Sequence, residues 1–178
     1  MTDREHARAI RGLAAGPDPA GRLLLWSRLW SPLVPDGWRE RAWRELELPG
    51  SWAEAEAEFW ATFEVGLPVA PVPLLLHAAL GTVGANARED WMRVLGHLGL
   101  EWTEHRLAPD HLAAACEVVA FACARGEMVL VRELVARYLE PWCGVAAERL
   151  ERDAPLAHLP ERFAADLREL QAAVAASA

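Results

Sequence analysis

The run Pro109-Asp110-His111-Leu112-Ala113-Ala114-Ala115-Cys116-Glu117-Val118-Val119-Ala120-Phe121-Ala122-Cys123-Ala124-Arg125 decides the fold. Proline suits a first helical turn, because the amide it lacks is one that a helix leaves unbonded anyway. Gly126 stands where a left-handed residue ends a helix at no steric cost. Between Leu112 and Ala124 the only charged residue is Glu117. The spacing predicts a helix over 109–125 that is apolar nearly all round, so other elements must surround it.

The composition says what those elements are. The chain has 34 Ala and 26 Leu against 13 Val, 1 Ile and 4 Thr, so helix formers outnumber β-branched residues by 60 to 18. Gly or Pro separates apolar segments of helical period, which predicts an all-α protein: one compact bundle of roughly eight to ten short and medium helices. Helices are expected over 3–15 (ended by Gly16-Pro17), 19–30, 36–47, 52–65, 74–80, 86–98, 127–140, 142–152 and 160–176. Ser51 with Glu54 reads as a capping box. Pro141 should kink or break the run from 127 to 152.

With 178 residues, 53% of them hydrophobic and 25% charged, residues 1–178 fit a single soluble domain. A chain of this size buries roughly 70% of the surface it exposes when unfolded, so it needs no metal or disulfide to hold a core. Val65 to Ala87 carries no charge, but Pro68, Pro71 and Pro73 with Gly81 and Gly84 forbid one membrane-crossing helix. The start, Met1-Thr2-Asp3-Arg4-Glu5-His6, shows no apolar leader region, and the expected location is cytoplasmic. Cys116, Cys123 and Cys143 lack the two-residue spacing of zinc or redox motifs and read as reduced thiols.

The formal net charge of −8 argues against a nucleic-acid binder. All 18 basic residues are Arg. No phosphate loop, metal-spaced histidine pair or nucleophile elbow occurs, so neither metal nor cofactor is expected. His105, Asp110 and His111 form the one set that would allow acid–base work in a small helical enzyme. A cap at the start of the central helix is the favoured reading of Asp110-His111, because no nucleophile stands nearby. His77, within Leu74-Leu75-Leu76-His77, reads as a satisfied core or groove residue. Most of the nine Trp read as core.

Leu107-Ala108-Pro109-Asp110-His111-Leu112, with Glu117 and Tyr138-Leu139-Glu140-Pro141-Trp142 some thirty residues on, resembles the TorD/DmsD (NarJ-like) family of cytoplasmic maturation chaperones for molybdoenzymes. Upstream, Phe59, Phe63 and Gly66 followed by Pro71 and Pro73 resemble that family's aromatic segment and proline pair. The likeness runs in order over about residues 20–152. It departs at Leu74–Leu80, where many members carry an aromatic or Glu followed by Ser-Val-aromatic, and Ala115-Cys116-Glu117-Val118 keeps only the second of two acidic positions. Phe59, Phe63, Gly66, Pro71, Pro73, Pro109, Leu112, Pro141 and Trp142 are the structural positions of this likeness.

The resemblance implies a binding protein without turnover. Its partner would be the catalytic subunit of a molybdoenzyme, held by its twin-arginine leader and its apo-body while cofactor is inserted and export delayed. A client that is never exported is the alternative within the family, and a monomer or a domain-swapped dimer is expected. A leader with two guanidinium groups and an apolar stretch wants an apolar groove edged with carboxylates. Asp110, Glu117 and Glu104 are the candidate charges, His111 and His77 the candidate polar contacts, and Leu74, Leu75, Trp91 and Trp102 the candidate walls.

Overall fold

The computed structural model describes residues 18–65, 70–102 and 107–176. Nine α-helices and one π-helical turn account for most of these residues, with no β-strand among them. The helix expected over 3–15 lies outside the described residues.

Helix α1, Pro19–Trp30, starts where the Asp18 carboxylate accepts the amides of Ala20 and Gly21. Helix α2 is Asp36–Glu45, and α3, Trp52–Phe63, opens on the capping box that Ser51 and Glu54 predict. The apolar stretch after the prolines yields only one and a half turns of helix, α4, Leu76–Leu80, and α5 follows as Gly84–Leu98. Both end on left-handed glycines, Gly81 and Gly99.

The central helix, α6, is Leu112–Ala124, and almost every residue from Leu112 to Ala122 is buried. It starts three residues later than Pro109 suggests. Pro109 lies in a turn that the His111 amide closes onto the Ala108 carbonyl, and His111 itself is the N-cap, its Nδ1 accepting the Ala113 amide at 3.2 Å. Helix α1 lies along α6 as its most extensive partner.

Helix α7, Met128–Leu134, does not break at Pro141. It passes through a π-helical turn, Val135–Leu139, straight into α8, Glu140–Arg149. The Glu140 amide bonds to the Val135 carbonyl, five residues back. The widened turn places Pro141 in a first turn of helix, where its missing amide and its ring are tolerated. Helix α9, His158–Ala176, closes the bundle against α8 and α1.

Trp30 is the hub of the core. Its ring centroid lies 5.3 Å from Trp26, 5.7 Å from Phe59, 5.3 Å from Phe63, 5.4 Å from Trp142 and 6.0 Å from Phe163. One side chain thus joins α1, α3, α8 and α9, in the stacked and edge-on geometries that aromatic quadrupoles favour. A buried ion pair braces the same region: Arg22 Nε lies 3.0 Å from Asp166 Oδ1, and Trp26 Nε1 donates to Asp166 Oδ2 at 2.6 Å.

Candidate functional site

The segment Pro71 to His77 crosses the bundle, and the separate sequence motifs meet on it. The Val72 amide donates to the Thr62 carbonyl at 3.0 Å, beside Phe59 and Phe63. Trp142 Nε1 donates to the Pro73 carbonyl at 3.0 Å. The Leu112 amide donates to the Leu74 carbonyl at 2.8 Å, and the Leu76 amide to the Asp110 carbonyl at 2.9 Å. Leu75 and His111 therefore form an isolated antiparallel bridge between two chain segments that are otherwise entering helices. A proline-rich crossing has few amides to offer, so its carbonyls are satisfied by an indole and by the start of α6.

Asp110 locks this crossing. Its side chain is completely buried. One oxygen, Oδ2, accepts from His77 Nδ1 and from the His77 amide at 3.3 Å, while Oδ1 lies 3.4 Å from Arg88 Nε on α5. A buried carboxylate without partners would be costly, and here a ring, an amide and a guanidinium meet it. Gly84 completes the latch: a Cβ there would lie 2.9 Å from the His77 ring, so glycine is what lets α5 start against that imidazole.

His111 looks the other way. With Nδ1 accepting the Ala113 amide, Nε2 carries the proton and points at Glu64 Oε1, 3.4 Å away. The two adjacent residues thus have different partners and form no His–Asp pair with each other. His105 and Glu104 lie outside the described residues, as does Gly66.

The remaining candidates divide. Leu74 and Trp91 are buried, Trp91 against Tyr138 at 5.2 Å, and in this conformation they offer no wall to a ligand. Leu75, His77 and Trp102 are partly exposed. Glu117 faces α1, where Ser27 Oγ donates to it at 3.0 Å, so it does not share a surface with Asp110. Pro141 and Trp142 are packing anchors, Trp142 being fully buried. Asp110 is a positioning residue, with no exposed atom for a peptide to touch.

Sequence reasoning missed Arg88 and Glu64, the outer partners of Asp110 and His111. It also missed an open groove of about 570 Å³ between α8 and α9. Small residues, Gly144, Ala147 and Ala164, line it together with Cys143 and Pro160, and Glu140, Glu161 and Arg168 supply its charge. Glu140 belongs to the Tyr138–Trp142 motif, which was the available signal.

Burial pushes all three thiols up: Cys116 well above its ordinary value, Cys123 to about 11, and Cys143 to about 12, where Glu140 adds to the effect. They are unreactive as nucleophiles near neutrality. Among the described residues no group of three or more His, Cys, Asp or Glu is placed to hold a metal ion, and no helix is long and apolar enough to cross a membrane.

Fold and site together define an all-α protein whose proline-rich crossing is latched by a buried Asp–His–Arg cluster. No protein-family model, curated protein or solved structure matches the chain.

Proposed function

We propose that this protein is a maturation chaperone of the TorD/DmsD kind, acting in the cytoplasm, which binds the twin-arginine leader or apo-body of a molybdoenzyme catalytic subunit and catalyses no reaction. The observation that carries the reading is the meeting of the motif residues on one crossing: Phe63, Pro73, Asp110-His111-Leu112 and Trp142 are far apart in sequence and adjacent in space. Their convergence supports the reading, because the pieces of the resemblance act together in space and not as separate matches.

In this reading Asp110 and His111 hold the crossing in place, and the client lies elsewhere. The α8–α9 groove suits a leader better than the buried candidates do. Its small side chains let the backbone of an apolar segment approach closely, and the Glu140 and Glu161 carboxylates can each accept hydrogen bonds from a guanidinium. Arg168 on the same rim limits how much positive charge the groove takes.

Calorimetric titration of the protein with leader peptides from the molybdoenzymes of the same organism tests this, each peptide beside a version with both arginines changed to alanine. Saturable binding that weakens at least about tenfold without the arginines, and again in the Glu140→Gln/Glu161→Gln variant, is the expected result. Capture of an intact apo-enzyme with no leader binding would favour a client gripped by its body, as for a non-exported enzyme. Silence in both assays overturns the chaperone reading.

A further inference from the structure

We infer that Gly144 sets which segments the α8–α9 groove selects: the space left by its missing side chain receives one large apolar side chain, a leucine or a phenylalanine, of the bound leader. The inference rests on the reading of that groove as the leader site. Gly144 stands in the middle of α8, and it is not one of the glycines with positive φ, which are Gly50, Gly81, Gly99 and Gly126. No left-handed backbone calls for glycine there. A Cβ built at position 144 would meet no atom within 4 Å, so crowding does not call for glycine either. Gly84 is the contrast, since a Cβ there would run into the His77 ring.

A glycine in a helix interior is less stable than an alanine, because it has more backbone freedom to lose on folding. The other helical glycines stand near helix ends, Gly21, Gly37 and Gly84 in the first turns of α1, α2 and α5 and Gly96 in the last turn of α5. The chain carries 34 Ala, so alanine is its ordinary choice for a small helical residue. At position 144 the fold would accept one and gain by it. What an alanine would take away is space in the groove, which Gly144 lines.

The occupant follows from shape and charge. Ala147 and Ala164 let a segment come close, and the open spot at Gly144 leaves room for its largest side chain. Large packed against small fills such a contact without a void. The net charge of −8 attracts a basic segment. Burial raises the Cys143 thiol, with Glu140 adding to the effect and Arg168 opposing it, so those two opposite charges stand together beside Cys143. Glu161 lies seven residues before Arg168 on the same helix, about 10 Å away along the axis, and is left as the carboxylate for the arginine pair.

The test is fluorescence anisotropy of two labelled peptides, Arg-Arg-Leu-Leu-Ala-Leu-Leu-Ala-Leu and Arg-Arg-Ala-Ala-Ala-Ala-Ala-Ala-Ala, titrated with the full chain and with its Gly144→Ala variant. The parent should bind the leucine peptide at least about tenfold more tightly than the alanine peptide. Gly144→Ala should weaken the leucine peptide about tenfold and leave the alanine peptide within about twofold. Its melting temperature should meanwhile rise by about 2 °C. Binding and stability thus move in opposite directions, which a purely structural glycine would not produce. Undiminished binding of the leucine peptide by the variant, or equal weakening of both peptides, would overturn the inference and leave the leader reading standing. A lower melting temperature would also overturn it, by showing that the fold needs this glycine. Failure of the parent to bind either peptide would remove the leader reading and this inference together.

Discussion

Asp110 shows how burial changes what a motif residue does. The resemblance places it among peptide contacts, yet its side chain has no exposed surface and is spent on His77 and Arg88. Removing one member of a buried charged cluster costs about 3 kcal/mol, which for a chain of this size lowers the melting temperature by roughly 10 °C. Asp110→Ala should show that loss by calorimetry, and a melting temperature within a degree or two of the parent would mean the carboxylate is not needed by the fold. His111 should behave differently. His111→Ala removes an N-cap and should cost about 1 kcal/mol, while His111→Asn, which keeps a capping acceptor, should recover most of it. Neither pairing partner of Asp110 was legible in the sequence: His77 stands 33 residues before it and Arg88 22 residues before it, and no local spacing links them.

The helices themselves were largely legible, because their limits are set by local chemistry. Asp18, Ser51, Gly81 and Gly99 act where capping rules place them. Two elements depart from the expected form for non-local reasons. Residues 74 and 75 are helical by composition, but the Leu74 carbonyl and the Leu76 amide on either side of Leu75 are bonded to Leu112 and Asp110, so α4 begins only at Leu76. Pro141 is expected to kink or break the run, and the π-helical turn before it lets α7 pass into α8 without a break. The indole of Trp142 then reaches the Pro73 carbonyl. Trp142→Phe keeps one aromatic ring but loses that bond, leaves a buried carbonyl unpaired and opens a cavity where the rest of the indole stood, a cost of about 2–4 kcal/mol in all. Urea denaturation should show this as a lower midpoint with an unchanged slope.

At the scale of the whole molecule, the groove was illegible in sequence because it is made by two helices, α8 and α9, meeting side by side. The buried thiols give a global signature that the sequence only hinted at. Cys143 is raised from 9.0 to about 12 and Cys123 to about 11, both chiefly by burial, and Tyr138 is raised from 10.0 to about 12 by burial and its bond to Asp90. Unfolding frees these groups to ionise, so they stabilise the fold fully below pH 9 and progressively less as pH climbs from 9 towards 12. Thermal melts should be flat from pH 7 to about 8.5 and fall steeply beyond 9, and Cys143→Ala should blunt the fall. The π-helical turn carries a constraint of another sort, on heredity. It holds one residue more than an ordinary turn of α-helix would, so deleting any single residue from Val135–Leu139 would restore regular winding. It would also set Pro141 inside an uninterrupted α-helix, where its ring meets the carbonyl four residues back, so the rod would kink beside the Trp142 indole that holds the Pro73 carbonyl. This lineage can therefore exchange side chains along that rod more freely than it can change the rod's length.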